Sequence, residues 1–252
     1  MLLVNKLLRY KKFLVLGLDQ ALVSITGLSL TILVSRIFGL EELGMFVIAQ
    51  IGYALCILMH SAFVNMPIAT RASNPIDKKR FEMDSYFATL NLLVILFLTS
   101  LILIIYFVSL IFPNLSYLQE IILGILFSIP SMLCFHYIRA IMLVKFDYFK
   151  VLKMDFTYTS FLLLGIVLLK EVDGSNAIDI LYICSFAWFA GVISVIKSTL
   201  KLYKVDTQRY KEIFLSCWKE SKWLFGYRSI AYIKTNLLIV VLAFTSGPTS
   251  VG

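Results

Sequence analysis

A few side chains in this 252-residue chain could do chemistry in an otherwise apolar setting, and Asp19 comes first. It reads as the one acidic residue within an apolar run, where a carboxylate is costly and is normally functional or paired. It either binds a coupling cation or proton, or sits near the headgroups, favoured by a helix N-terminus and by Lys11 and Lys12. Gln20, Ser24, Gly27, Thr31 and Ser35 follow at helical spacing and form one polar or small stripe. That stripe can offer hydrogen bonds along a lumen wall, or let helices pack closely. Arg36 either holds an anionic group, or neutralises a helix C-terminus beside Glu41 and Glu42. Lys234 lies inside a helix that starts near Trp223, but merely snorkels from one that starts near Ser229. Asn65 and Asn91, with His60, His136 and Arg139, line a cavity or satisfy neighbouring helices. Two histidines on different runs make no metal site, and the four cysteines are too scattered for a metal or redox motif. No metal and no cofactor is expected.

The elements that must position these residues are seven apolar runs, near 13–38, 45–66, 86–112, 118–138, 154–169, 178–196 and 229–246. Most are about as long as a helix needs to cross ~30 Å of hydrocarbon. The fifth is the shortest; it spans if its helix starts near Lys150, with Lys153 snorkelling and Asp155 near the headgroups. Of 23 Lys and Arg, all but Arg36, Lys170 and Lys234 fall at the N-terminus or in every second gap between runs. Basic loops stay cytoplasmic, so the N-terminus and the second, fourth and sixth connections are expected there. A composition 60% hydrophobic and 15% charged is that of a membrane protein. The pI of 9.3 then reflects basic loops meeting anionic headgroups, and nucleic acid is not an expected partner.

Three segments follow: a six-helix transmembrane lobe over 1–200, a cytoplasmic amphipathic linker helix over 201–225, and one further helix over 226–252. In the linker Tyr210, Ile213, Phe214, Cys217, Trp218, Ser221, Leu224 and Phe225 recur at helical spacing, with Lys211, Glu212, Lys219, Glu220 and Lys222 on the other face. A weak internal repeat pairs Gly39-Leu-Glu-Glu-Leu-Gly44 with Gly247-Pro-Thr-Ser-Val-Gly252, and Lys12-Phe-Leu-Val-Leu-Gly17 with Lys222-Trp-Leu-Phe-Gly226. Repeats of this kind mark transporter halves. Pro130 in the fourth run removes a backbone donor and should loosen or kink it.

The stretches Gly17-Leu-Asp-Gln-Ala-Leu-Val-Ser24, Val34-Ser-Arg-Ile-Phe-Gly39 and Glu41-Glu-Leu-Gly-Met-Phe46 resemble the opening of O-antigen and polysaccharide translocases. These belong to the superfamily of the multidrug-and-toxin-extrusion transporters. Trp218-Lys-Glu-Ser-Lys-Trp-Leu-Phe-Gly226 is similar to the start of the second half in the same proteins. The resemblance implies an all-α, multi-spanning membrane helix bundle in the bacterial inner membrane, N-terminus cytoplasmic. It also implies two lobes facing a central cavity that carries an undecaprenyl-diphosphate-linked oligosaccharide across by alternating access. This chain would supply one lobe plus the first helix of a second. It departs from the family pattern in stopping after the seventh crossing. Alternatives are an inactive or self-associating fragment of such a transporter, or a cation-coupled drug antiporter of the same fold. An enzyme is not expected, because the connections hold no catalytic constellation such as paired carboxylates beside a histidine.

Overall fold

The computed structural model describes residues 2–72, 80–111, 116–172, 174–199 and 210–246. Every element among them is helical: α1 (Leu2–Ile37), α2 (Leu40–His60), a π-turn (Ser61–Asn65), α3 (Met66–Ala72), α4 (Arg80–Ser109), α5 (Ser116–Val144), α6 (Tyr148–Leu169), α7 (Ala177–Thr199) and α8 (Tyr210–Ser246). The chain is thus an all-α membrane helix bundle. Six stretches are long and apolar enough to cross a bilayer: Phe13–Ile37, Leu40–Thr70, Phe87–Ser109, Tyr117–Val144, Tyr148–Leu169 and Ile178–Lys197. The short fifth run is among them, and α6 does begin just before Lys150.

Local chemistry sets the corners. Gly39 takes φ 90°, a conformation other residues avoid, and so reverses the chain within two residues between α1 and α2. After α5, Phe146 adopts φ 59° while the Asp147 N–H returns to the Met142 carbonyl at 2.9 Å, closing the helix in a Schellman-type turn. Asn176 caps α7, its Oδ1 accepting from the Ile178 N–H at 3.0 Å, and Asp179 accepts from the Asn176 N–H at 3.0 Å.

The second span bends its rules at Pro67. Met66 donates to Ser61, five residues back, which widens the helix by one residue just ahead of the proline ring. A Pro ring in a regular helix clashes with the carbonyl four residues earlier, and the wide turn relieves that clash. Pro130 lies inside α5, which is one helix from Ser116 to Val144. The i−4 carbonyl, that of Leu126, loses its donor, yet the helix carries on.

Between helices already in hydrocarbon, association rests on close packing and polar contacts rather than on burial from water. Helix α7 shows this best, because glycines on three helices admit it. Gly124 of α5 receives Leu181, Gly165 of α6 receives Ile183, and Gly191 of α7 faces Phe135 and the Met154 carbonyl. Helices α5, α6 and α7 form the interior, with Ile129, Met132, Leu133, Tyr137, Met154, Leu162, Ile166 and Leu181 all fully buried. Helix α1 lies against α6, and α4 against α5. The outer faces are apolar, as lipid demands: Leu96, Phe97, Ile104 and Phe107 of α4 are all exposed.

The linker and seventh run join up differently from the sequence reading. No break separates 201–225 from 226–252, since α8 runs unbroken through Gly226 and packs on α2 and the π-turn. Both parts are good helix formers, and Gly226 alone costs a helix only about 1 kcal/mol. Phe63 stacks on Trp218, ring centroids 5.4 Å apart, and Tyr232 donates to the Ile51 carbonyl. Helix α8 is not among the six apolar spans, and the glycines at 247 and 252 lie outside the described residues.

Topology can be checked directly. Reporter fusions after Asn114 and Gly174 are expected to read as extracytoplasmic, and fusions after Asp77, Lys150 and Lys204 as cytoplasmic. A cytoplasmic signal at Gly174 would mean that α6 does not cross.

Candidate functional site

Asp19 is 2% exposed, on α1 where that helix lies against α6. Its partner is Arg139 near the end of α5, whose Nη2 donates to Asp19 Oδ2 at 2.6 Å. The same guanidinium donates from Nε to Asp155 Oδ2 at 2.8 Å. One arginine therefore ties three helices, with both carboxylates buried and the Arg139 side chain 23% exposed. The planar fork of arginine suits this better than an ammonium, because its donors point in fixed, divergent directions.

Asp155 carries more than the sequence reading gave it. It faces the bundle's interior: it is 1% exposed, one turn before Thr159 on the buried face of α6. The helix has to start near Lys150 to span, and that start draws Asp155 inside along with its neighbours. Lys153, exposed, does reach outward, its Nζ donating to the Ser194 carbonyl at 2.9 Å. Thr26 and Thr159 then join α1 to α6 through hydroxyls 2.8 Å apart.

Charge counting gives the site its chemistry. Two ionised carboxylates around one guanidinium leave one negative charge, which a further proton or a monovalent cation would balance. Oδ1 of Asp19 and Oδ1 of Asp155 are both buried without a hydrogen-bond partner. Such atoms are costly in a low-dielectric interior unless something meets them. Among the described residues no three His, Cys, Asp or Glu side chains converge as metal ligands would.

The other candidates are distributed, not gathered. Gln20, Ser24 and Thr31 are exposed on the outer side of α1, about half a helical turn from Asp19 and Thr26. Ser24 and Thr31 bond to the Gln20 and Gly27 carbonyls, and Ser35 to that of Ile32, within their own helix. A side chain at Gly17 or Gly27 would meet nothing within 4 Å, so among the described residues no helix packs against the stripe there. Arg36 is exposed in the last turn of α1. Asn91 is buried and joined to His60, Nε2 to Oδ1 at 2.7 Å, tying α4 to α2. Asn65 lies in the π-turn with its Oδ1 buried and unpartnered. Lys234 is exposed on α8, while Arg228 of the same helix reaches Ser61 Oγ at 3.4 Å.

Sequence reasoning thus named both ends of the Asp19–Arg139 pair without joining them, and missed Asp155. The signal for Asp155 was present: Thr159, Leu162 and Ile166 continue its face at helical spacing. No family model, curated protein or solved structure matches the chain.

Proposed function

We propose that this chain is one lobe of a transporter that flips an undecaprenyl-diphosphate-linked oligosaccharide across the bacterial inner membrane, N-terminus cytoplasmic. The observation that carries the reading is the outer face of α1. Gln20, Ser24 and Thr31, with open ground at Gly17 and Gly27, point away from the bundle. An exposed amide facing hydrocarbon is costly, so this face suits a polar chamber better than lipid. Sugar hydroxyls would meet Gln20, Ser24 and Thr31, and Arg36 and Lys234 would offer charge to the diphosphate. A second lobe, from another chain or another copy, would close the chamber from the far side. The ion cluster holds the α1 wall on α5 and α6 from behind.

The test is a dithionite-quenching assay on proteoliposomes carrying a fluorescent polyprenyl-diphosphate sugar. Translocation faster than in empty vesicles is expected, slowed about tenfold when Gln20 and Arg36 are replaced by leucine together. No acceleration of the sugar lipid over a labelled phosphatidylcholine would end the reading.

The buried Asp19 and Asp155 favour a second reading, a cation-coupled antiporter of drug-like cations. It requires uptake of a cationic dye driven by a proton or sodium gradient and abolished by Asp19→Asn. The flippase reading expects no such uptake.

A further inference from the structure

On the outside of the bundle, between α5 and α7, lies an apolar groove of about 470 Å³. Phe127, Cys134 and Ile138 line one side and Phe186, Phe189 and Ile196 the other, and both phenylalanines of α7 are more than half exposed. The hydroxyls of Ser131 and Ser185 on its floor are spent on each other, 3.0 Å apart. The groove therefore offers an occupant apolar walls and no spare hydrogen bond.

Its length and its ends narrow the choice of occupant. Phe127 to Ile138 and Phe186 to Ile196 each span about 16 Å at ~1.5 Å per residue, close to the ~15 Å depth of one leaflet. The Ile138 and Ile196 end belongs to the basic side of the bundle. There the same helical faces run on to cations: Lys145 follows Cys134 by eleven residues, just past the end of α5, and Lys197 follows Phe186 by eleven. Both lysines are exposed. Two ammonium groups at the headgroup level above a leaflet-deep apolar slot complement a lipid with a net negative head.

We propose that this groove is a binding site for an anionic phospholipid, one acyl chain between α5 and α7 and the phosphate between Lys145 and Lys197. The site depends on the membrane-spanning fold and not on the transport reading. A convex helix from a second copy would fit the slot poorly, whereas a single hydrocarbon chain follows it. An anionic lipid held here would clamp α5 to α7 close to where Gly191 and Phe135 already pack.

Native mass spectrometry of the full chain tests the site, in detergent with equimolar phosphatidylglycerol and phosphatidylcholine of identical chains. Retained phosphatidylglycerol is expected to exceed phosphatidylcholine on the order of tenfold. The double variant K145Q/K197Q should bring the two lipids near parity, and K170Q, an exposed cation at the other end, should leave the preference intact. Val192→Phe, which fills the groove, should remove both lipids. Equal retention by the unaltered chain, an unchanged preference in K145Q/K197Q or in Val192→Phe, or a lipid-free dimer would each overturn the proposal.

Discussion

Replacing Arg139 with methionine is expected to cost the fold about 3–5 kcal/mol, read as a lower thermal unfolding midpoint in detergent. The loss comes less from the contacts removed than from what stays behind, two carboxylates 2% and 1% exposed with no cation beside them. Arg139→Lys should recover only part, since an ammonium cannot reproduce the divergent 2.6 and 2.8 Å bonds to Asp19 and Asp155. The compensated variant D19N/R139M/D155L should regain most of the loss, because an apolar replacement of a whole buried ion cluster is often tolerated. That comparison separates a structural clamp from mere sensitivity at one position. Were R139M as stable as the parent, the three-helix tie would carry no weight in the fold.

Gly191→Leu should be the next most damaging change. A Cβ at this position would fall 2.7 Å from the Phe135 ring and 3.2 Å from the Met154 backbone oxygen. The ring cannot swing aside, being buried and packed against Tyr158 with centroids 5.4 Å apart. Overpacking of this kind costs about 1–3 kcal/mol, more for a branched side chain, and exceeds the ~1 kcal/mol that leaving glycine contributes to a helix. Gly27→Leu makes the contrast, since nothing lies within 4 Å of that site. Its stability should stay at or slightly above that of the parent, while transport, on the proposed reading, should fall. Equal unfolding midpoints for the two leucine variants would refute the packing account of α7.

The layout of the bundle was legible because lipid imposes one simple rule, long apolar runs with basic residues on one side. Six of the seven runs it marks are helices long and apolar enough to cross, including the short one at Tyr148–Leu169, while the seventh lies in α8, which is not among them. What the rule does not encode is rotation. Hydropathy counts Asp155 as a polar residue near a helix end, whereas its neighbours Met154, Thr159 and Leu162 on the buried face turn it inward. The π-turn before Pro67 was equally hidden, since one widened turn changes no composition. The joining of linker and seventh run into α8 was missed for a related reason. A change in amphipathic character at Gly226 reads as a boundary, but the backbone has no cause to break there. Of the candidate residues, those facing the interior found partners that spacing alone could suggest only as alternatives. Ser24 and Thr31 on the outer face of α1 bond back to their own helix, and the meaning of that face rests on what meets it.

The tie at Arg139 also sets a timetable for making the protein. Asp19 and its arginine are 120 residues apart, so α1 enters the bilayer long before its counter-charge has been translated. At about 5–20 residues per second the ribosome needs roughly 6–24 s to cover that distance. Through that interval the nascent first helix holds a carboxylate with no mate in the membrane, and insertion machinery or headgroup water must shelter it. The arrival of α5 and α6 then releases the shelter. The three-helix tie can therefore form only after α6 has been made, late in the chain's synthesis.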